Sequence, residues 1–180
     1  MSARRLADLG RPQRRRAVAA TALRCALATA AILVLYYFLP LTGGRPDAAA
    51  LLRLVIGAVL FTAVMTYELR ALLRAELPQL RAMEVLAVAL ALFLALFAGA
   101  YVCLADLDPG SFSAPVDRTA GLYFAIVTLG TVGYGDITPV TDFARVLVSV
   151  QVLIDLAFLA LLLRLVVDLT RRTLHRDADR

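Results

Sequence analysis

Two glycines separated by one residue, Gly133 and Gly135, end a stretch of 17 residues without charge, residues 119–135. Irregular backbone at membrane depth is tolerated only inside protein or along an aqueous path, because unpaired carbonyls in lipid are costly. Successive carbonyls face one axis when the chain alternates between ordinary and positive φ, which glycine adopts without a Cβ penalty. The spacing therefore predicts a row of backbone oxygens that a dehydrated cation can satisfy, with Val132 and Tyr134 turned outward.

A second candidate for chemistry is Asp155, an ionisable residue in the middle of the last apolar run. Ionisable residues inside a span are costly and are by default hypotheses for functional sites. Gln151 lies one helical turn earlier on the same face. We predict that Asp155 and Gln151 face a water-filled cavity, where the carboxyl groups attract cations. The alternative is a protonated or hydrogen-bonded Asp155 between helices.

The elements that must position these residues are membrane spans. The chain of 180 residues is 61% hydrophobic and 18% charged, and its mean hydropathy is +0.79. The apolar fraction lies well above the ~45–50% of soluble domains. Since about 20 apolar residues cross a bilayer, we predict four spans, at residues 17–39, 49–67, 85–105 and 142–167. Cleavage of the first as a signal peptide is disfavoured, because it has no clear small-residue cleavage site.

The distribution of arginine predicts the orientation of these spans. All 19 basic residues are Arg, and the formal net charge is +5. The head, the 68–84 loop and the tail after residue 168 hold 6, 3 and 4 of them, whereas the 40–48 loop and the 106–141 segment hold one each. The positive-inside rule then places both termini in the cytoplasm. Nucleic-acid binding is not predicted, because no basic face with interleaved aromatic residues is present.

Two shorter helical segments complete the predicted organisation. The second span is expected to continue into an amphipathic segment, residues 68–77, and to be interrupted at Pro78. Residues 120–129 fit a helix of roughly 18 Å with its flanks, capped by Asp117 or Thr119. Such a helix enters the membrane only part way.

The signature segment, Thr131-Val132-Gly133-Tyr134-Gly135-Asp136 (residues 131–136), is identical to the selectivity-filter signature of potassium channels. The chain resembles that family around the signature as well. Its resemblance covers about residues 85–168, and the matching positions are Tyr123 and Phe124 as the aromatic pair of the pore helix, Thr128 before the filter, and Pro139 and Arg145 after it.

The resemblance implies an all-α membrane protein with four transmembrane helices plus a re-entrant pore helix and a filter loop, assembled as a four-fold homotetramer. It implies that the carbonyl oxygens of residues 131–134 replace the hydration shell of K⁺, with the Thr131 hydroxyl as the innermost ligand. Tyr123, Thr128 and Asp136 are then filter support and outer mouth. Further outer acidic residues are Asp106, Asp108, Asp117 and Asp142. An acidic mouth concentrates cations; ordinary solvated loop charge is the alternative.

The chain also departs from the family pattern at several positions. Gly130 stands where family members often have Thr, and Val127 stands where some bacterial channels have a carboxylate that pairs with the residue equivalent to Asp136. Phe124 replaces a Trp, so a brace to Tyr134 would have to come from Tyr123 or another hydroxyl. No glycine follows Gly135, so the hinge glycine of the inner helix is missing.

The predicted function is passive, potassium-selective conduction across the cell membrane. The predicted organisation is a cytoplasmic head (1–16), two additional helices with a linker (17–83), a pore domain (84–168) and a cytoplasmic tail (169–180). K⁺, lipid and further copies of the chain are the expected partners, and no cofactor besides the permeant ion is expected. The alternatives are a pore subunit of a potassium transporter and a non-conducting membrane interaction protein. An enzyme is disfavoured, because no nucleophile–base set, metal cluster or phosphate loop occurs.

Overall fold

The structure of the protein is a computed structural model, in which the backbone alone is described at residues 11, 78–79, 161–162 and 165–178. The described residues are 10–38, 55–57, 59, 62–64, 66–68, 70–71 and 78–178. Four helices are traced in full: α1 (Arg11–Phe38), α2 (Pro78–Leu107), α3 (Arg118–Leu129) and α4 (Asp142–Ala178). In this part of the chain the β structure is limited to an isolated bridge between Phe112 and Pro139.

Three of the described helices are long and apolar enough to cross a membrane: Pro12–Phe38, Leu80–Leu107 and Asp142–Ala160. They correspond to the first, third and fourth predicted spans, so the all-helical membrane architecture is confirmed. The predicted second span, 49–67, lies partly outside the described residues, and those described within it belong to a shorter apolar helix, Val55–Glu68. The α4 backbone continues to Ala178, beyond the predicted end at residue 167.

Pro78 opens a helix, since it is the first residue of α2. Proline suits the first position because the N–H that it lacks has no partner inside the helix there. The predicted amphipathic segment before it lies largely outside the described residues. Arg81, in the first turn of α2, forms ion pairs with Glu68 at 2.7 Å and Glu84 at 2.9 Å. The pair with Glu68 connects the end of Val55–Glu68 to the start of α2, whereas the pair with Glu84 lies within α2.

The core lies between α2 and α3 and is built around three aromatic rings. The ring centroids of Tyr101, Phe112 and Phe124 are 5.1 to 5.8 Å apart in edge-to-face arrangements. Such pairs contribute about 0.5–1.5 kcal/mol each beyond their buried area. All three side chains are buried. They come from α2, from the loop after it and from α3, so this cluster fixes α3 against α2.

Gly121 lets α3 approach α2 closely. A Cβ atom at this position would lie 2.8 Å from the Val102 side chain and 3.0 Å from the Ala98 carbonyl oxygen. The second of these atoms is backbone and cannot rotate away. A glycine is therefore required by the packing here and not by its φ.

The segment between α3 and α4 is anchored to the loop that follows α2. The Ser113 N–H donates to the Thr138 carbonyl at 2.9 Å, and the Val140 N–H donates to the Ser111 carbonyl at 2.8 Å. Just after this short pairing, the Thr141 hydroxyl accepts from the Ala144 N–H at 3.3 Å and caps the start of α4. The chain that leaves the signature segment is thus held before α4 begins.

Candidate functional site

The site begins with the cap of α3. Asp117 has extended backbone, with φ −78° and ψ −176°, and its Oδ1 accepts from the Ala120 N–H at 2.7 Å. This is the hydrogen bond that an N-cap side chain makes to the free amides of the first turn. Of the two caps predicted from the sequence, Asp117 is the one observed. The helix then runs for 12 residues and ends directly at the signature segment.

The C-terminal end of α3 is closed by three backbone hydrogen bonds. The Gly130 N–H donates to Ile126 O at 2.9 Å, the Thr131 N–H to Thr128 O at 3.0 Å, and the Val132 N–H to Val127 O at 3.1 Å. The last two bonds have the pairing of a Schellman motif, in which the residue after the C-cap takes a left-handed conformation. That residue is Thr131, with φ 53°.

In the signature segment, the backbone angle φ alternates between positive and negative values. Positive φ occurs at Thr131 (53°), Gly133 (58°) and Gly135 (79°), and at no other residue that the structure describes. This is the alternation that turns successive carbonyls toward one side. No described residue donates a hydrogen bond to the carbonyl oxygens of residues 131–134. The segment therefore presents a row of carbonyl oxygens that are free to bind an external ligand.

Thr131 is the member of this alternation that sequence reasoning missed. A β-branched residue is an outlier at positive φ, and such strain concentrates at functional sites. Glycine spacing identifies only Gly133 and Gly135. The helix-ending hydrogen bonds of α3 explain the third position, and a search for helix C-terminal motifs at Gly130 would have found it.

The side chains of Val132 and Tyr134 are exposed, at 53% and 71%. Within one chain they lie outside the core, as does the rest of the signature segment, and their outward direction relative to an ion path stays a prediction. Thr128 contributes its carbonyl oxygen to the end of α3, as the acceptor of the Thr131 N–H.

Tyr123 supports the outer end of the signature segment. Its hydroxyl donates to Asp136 Oδ2 at 2.8 Å. This hydrogen bond raises the pKa of the Tyr123 phenol, so the phenol stays protonated and donating at neutral pH. The sequence analysis had considered Tyr123 as a brace for Tyr134, whereas in the structure its hydroxyl binds Asp136. With Val127 in place of a carboxylate, the phenol is the side chain that engages Asp136.

Gln151 and Asp155 lie inside the subunit. Gln151 is fully buried and Asp155 is 5% exposed. The Gln151 amide donates to Ala125 O at 3.0 Å and to Asp155 Oδ2 at 3.2 Å, and the Tyr101 hydroxyl donates to Gln151 Oε1 at 2.5 Å. The two side chains lie on the same face of α4, as predicted from their spacing. Both side chains are buried within the single chain. Gln151 binds partners on α2 and α3, and Asp155 binds Gln151 on the same helix, which favours the alternative of a hydrogen-bonded group between helices over a side chain that faces a water-filled cavity.

The acidic residues of the outer loops mostly have local roles. Asp117 caps α3, Asp108 Oδ1 accepts from the Gly110 N–H at 3.2 Å, and Asp136 binds Tyr123. Asp142 lies 3.6 Å from the Arg145 guanidinium in an exposed pair. Most acidic residues of the predicted mouth thus have a local structural role. These contacts do not change the number of negative charges in the mouth.

The outer end of α1 contacts the start of α3. The buried Tyr36 hydroxyl donates to Arg118 O at 2.7 Å, and the Arg118 guanidinium donates back to Tyr37 O. The Tyr37 hydroxyl lies 3.3 Å from Thr119 Oγ1. An arginine at the last carbonyls of a helix also complements its dipole. The first helix thus helps to fix the beginning of α3.

Comparison with known proteins finds similarity in the part of the chain that holds α3 and the signature segment. The family model described as "Ion channel" matches residues 88–172. Two pore potassium channel c of Oryza sativa subsp. japonica is 46% identical over 59 residues, 31% of this chain and 13% of the relative. Two-pore potassium channel 5 of Arabidopsis thaliana is 49% identical over 47 residues, 26% of this chain and 12% of the relative.

A bacterial protein of Rhodopseudomonas palustris with potassium channel in its name is 30% identical over 76 residues, 42% of this chain and 18% of the relative. This chain therefore spans less than a fifth of the length of each of these curated relatives. No solved structure matches it significantly. Residues 88–172, which hold α3 and the signature segment, are thus similar to the ion-channel family, and parts of the chain are similar to potassium channels.

Proposed function

We propose that four copies of this chain surround a common axis and form a channel that conducts K⁺ passively and selectively. The observation that carries the proposal is the signature segment itself. Its φ values are positive at Thr131, Gly133 and Gly135, and within the described residues its carbonyls accept no hydrogen bond. Unpaired carbonyl oxygens in a membrane protein are costly unless a ligand satisfies them. A dehydrated cation is such a ligand.

The carbonyl oxygens of residues 131–134 replace the water of K⁺, and the Thr131 hydroxyl adds a further oxygen. Conduction requires binding that is strong enough to admit the ion and weak enough to release it, which several equivalent sites in a row provide. The glycine at 135 completes the alternation at the outer end. The ion is cargo, and no other cofactor takes part.

The geometry of the ligands supports the proposed assembly of several copies. One chain supplies one side of the ion path, so several copies must face each other. The exposed apolar side chains of α4 support this arrangement, since they recur at helical spacing and are covered by other copies or by lipid; they include Phe143, Val146, Val150 and Leu153.

Two electrostatic features favour a cation. The C-terminal end of α3, where the dipole carries partial negative charge, adjoins the signature segment. Asp136 adds a carboxyl group at the outer end, held by Tyr123. Repeated in four copies, these groups raise the local concentration of cations.

The arginine distribution orients the channel in the cell membrane with both termini in the cytoplasm. Lipid surrounds the apolar helices, and nucleic acid is not a partner. The ion-channel family is not a family of enzymes, and the chain is proposed to carry out transport and no chemical reaction.

The test is uptake of K⁺ or of radioactive rubidium into liposomes that contain the purified full chain. We expect barium-sensitive uptake that excess sodium does not compete, and none in empty liposomes or with Tyr134→Ala. Equal sodium uptake, or no uptake, overturns the proposal. The mass of the purified oligomer is a second measurement, and any state other than a tetramer contradicts the shared ion path.

A further inference from the structure

Gln151 of α4 is fully buried and contacts α2 through Tyr101 and α3 through the Ala125 carbonyl, four residues before the end of α3. We infer that Gln151 is a positioning residue, which holds the last turn of α3 and thereby fixes the carbonyls that select the ion. Tyr101 and Asp155 orient its amide. The inference rests on the proposed potassium conduction and goes beyond it by assigning part of the selectivity to a side chain that does not contact the ion.

The first step is the hydrogen bonding of the Gln151 amide. Its nitrogen has two N–H groups, and one donates to Ala125 O while the other donates to Asp155 Oδ2. Its oxygen accepts from the Tyr101 hydroxyl. Because a backbone carbonyl can only accept, the nitrogen must face Ala125. A fully buried amide with both donors and an acceptor engaged has one orientation.

The second step is the place of Ala125 on α3. The next three carbonyls, of residues 126–128, accept the N–H groups of residues 130–132, which join the helix to the signature segment. The Ala125 carbonyl directly precedes this run and accepts from Gln151. Four consecutive carbonyls, of residues 125–128, are therefore engaged: two by the start of the signature segment, one by Gly130 and one by Gln151 of α4.

The third step concerns Asp155. It lies one turn from Gln151 on α4, and its Oδ2 accepts the second amide N–H. Its Oδ1 is buried and has no hydrogen-bond partner in the described part of the chain. The contacts of Asp155 therefore act on the Gln151 amide and leave the carboxyl group inside the subunit.

The consequence of removing the amide is local. The Tyr101 hydroxyl and the Ala125 carbonyl would lose a buried partner, and the last turn of α3 would lose its connection to α4. Selectivity depends on the geometry and field strength of the carbonyl ligands. A last turn that is free to shift changes both, so discrimination between K⁺ and Na⁺ should fall even where the tetramer assembles.

The first measurement compares Gln151→Leu with the unmodified full chain in liposomes, using tetramer fractions only. We expect the ratio of K⁺ to Na⁺ uptake to fall about tenfold, the change that follows from losing a buried donor–acceptor pair. Gln13→Leu makes the same substitution at an exposed position of α1 and should leave the ratio unchanged. A role limited to stability would lower the tetramer yield without moving the ratio.

The second variant is Tyr101→Phe, which removes only the hydroxyl that binds Gln151. The ratio should fall about threefold, because the amide keeps its contact with Ala125 but loses part of its orientation. Tyr67→Phe, at a residue that is 68% exposed, is the matched control. If Gln151→Leu does not assemble, the ratio of K⁺ to Na⁺ uptake and the exchange rates are measured on Tyr101→Phe instead.

Hydrogen–deuterium exchange separates this inference from the proposed function. The amides of residues 130–132 donate to the last turn of α3, and they should exchange about tenfold faster in Gln151→Leu. If the unmodified chain carries no potassium-selective flux, the proposed function fails and the exchange rates still decide the role of Gln151. Unchanged exchange in assembled protein, or an unchanged ion ratio in a conducting channel, overturns the inference.

Discussion

The signature segment and the side chains behind it differ in almost every physical respect. In the signature segment, φ is positive at alternate residues, the side chains of Val132 and Tyr134 are exposed, and the carbonyls accept no bond from described residues. The supporting layer, which we define as Tyr101, Phe112, Phe124 and Gln151, is buried, and the polar groups of Tyr101 and Gln151 bind each other. We infer from this difference that the buried supporting layer holds the signature segment in a backbone conformation that its own carbonyl groups do not stabilise by hydrogen bonds.

Gly133→Ala breaks the signature segment without touching the supporting layer. A Cβ at this position meets no atom within 4 Å, so the penalty comes from φ 58° alone. A residue with a side chain costs about 1 kcal/mol more than glycine there, and in the proposed tetramer this cost arises in each of the four copies. We expect rubidium uptake to fall at least about tenfold while the tetramer is retained.

The matched control for this prediction is Gly110→Ala. Gly110 has no positive φ, and a Cβ there would lie 3.4 Å from Asp108 Oδ1. Uptake by this variant should equal that of the unmodified chain. Normal uptake by Gly133→Ala would show that the alternation of φ is dispensable.

Gly121→Ala disturbs the packing of α3 against α2, next to the supporting layer, and spares the signature segment. The new Cβ would lie 2.8 Å from the Val102 side chain and 3.0 Å from the Ala98 carbonyl oxygen. Overpacking of this kind costs about 1–3 kcal/mol. Thermal unfolding of the detergent-solubilised protein should show a lower midpoint. Adding Val102→Ala should restore part of the loss, because the Ala98 contact remains; an unchanged midpoint for Gly121→Ala would contradict the close approach.

Tyr36→Phe tests the contact between α1 and the start of α3. It removes the buried hydroxyl that donates to Arg118 O and leaves that carbonyl with one partner fewer. We expect a destabilisation of about 1 kcal/mol, measured by thermal unfolding. Tyr37→Phe is the neighbouring control, since its hydroxyl makes a longer, exposed contact at 3.3 Å. Equal effects of the two substitutions would argue against a specific role for Tyr36.

Tyr123→Phe sharpens the comparison at the outer end of the signature segment. It removes the hydrogen bond to Asp136, which is exposed, so the effect on potassium uptake should be about twofold. In the unmodified chain the bond is present up to the ordinary phenol pKa of about 10 and is lost as pH rises through the raised pKa. Uptake measured against pH should therefore be level across the neutral range in both proteins.

The sequence predicted the helices that hydrophobicity and capping determine. Long apolar runs identified α1, α2 and α4, and Asp117 identified the start of α3, because these signals are local. The alternation at Gly133 and Gly135 was predictable because only glycine takes positive φ without cost. The proposed binding of K⁺ by this segment stays a prediction.

Contacts between distant residues could not be predicted. Helical spacing put Gln151 and Asp155 on one face, but the direction of that face depends on Tyr101 and Ala125, which belong to other helices. The packing role of Gly121 depends likewise on the carbonyl of Ala98. Helical periodicity indicates which residues share a face of a helix, but it does not indicate which residues pack against that face.

The hydrogen bond between Tyr36 and Arg118 joins residues 82 positions apart. During synthesis, α1 therefore reaches the membrane well before its partner has been made, and it must reside in lipid by its own hydrophobicity until α2 and α3 arrive. Tyr36 is then a late contact, completed only when the pore domain has been inserted. A truncation after α1 would consequently yield an inserted helix in which the Tyr36 hydroxyl lacks its acceptor, the Arg118 carbonyl.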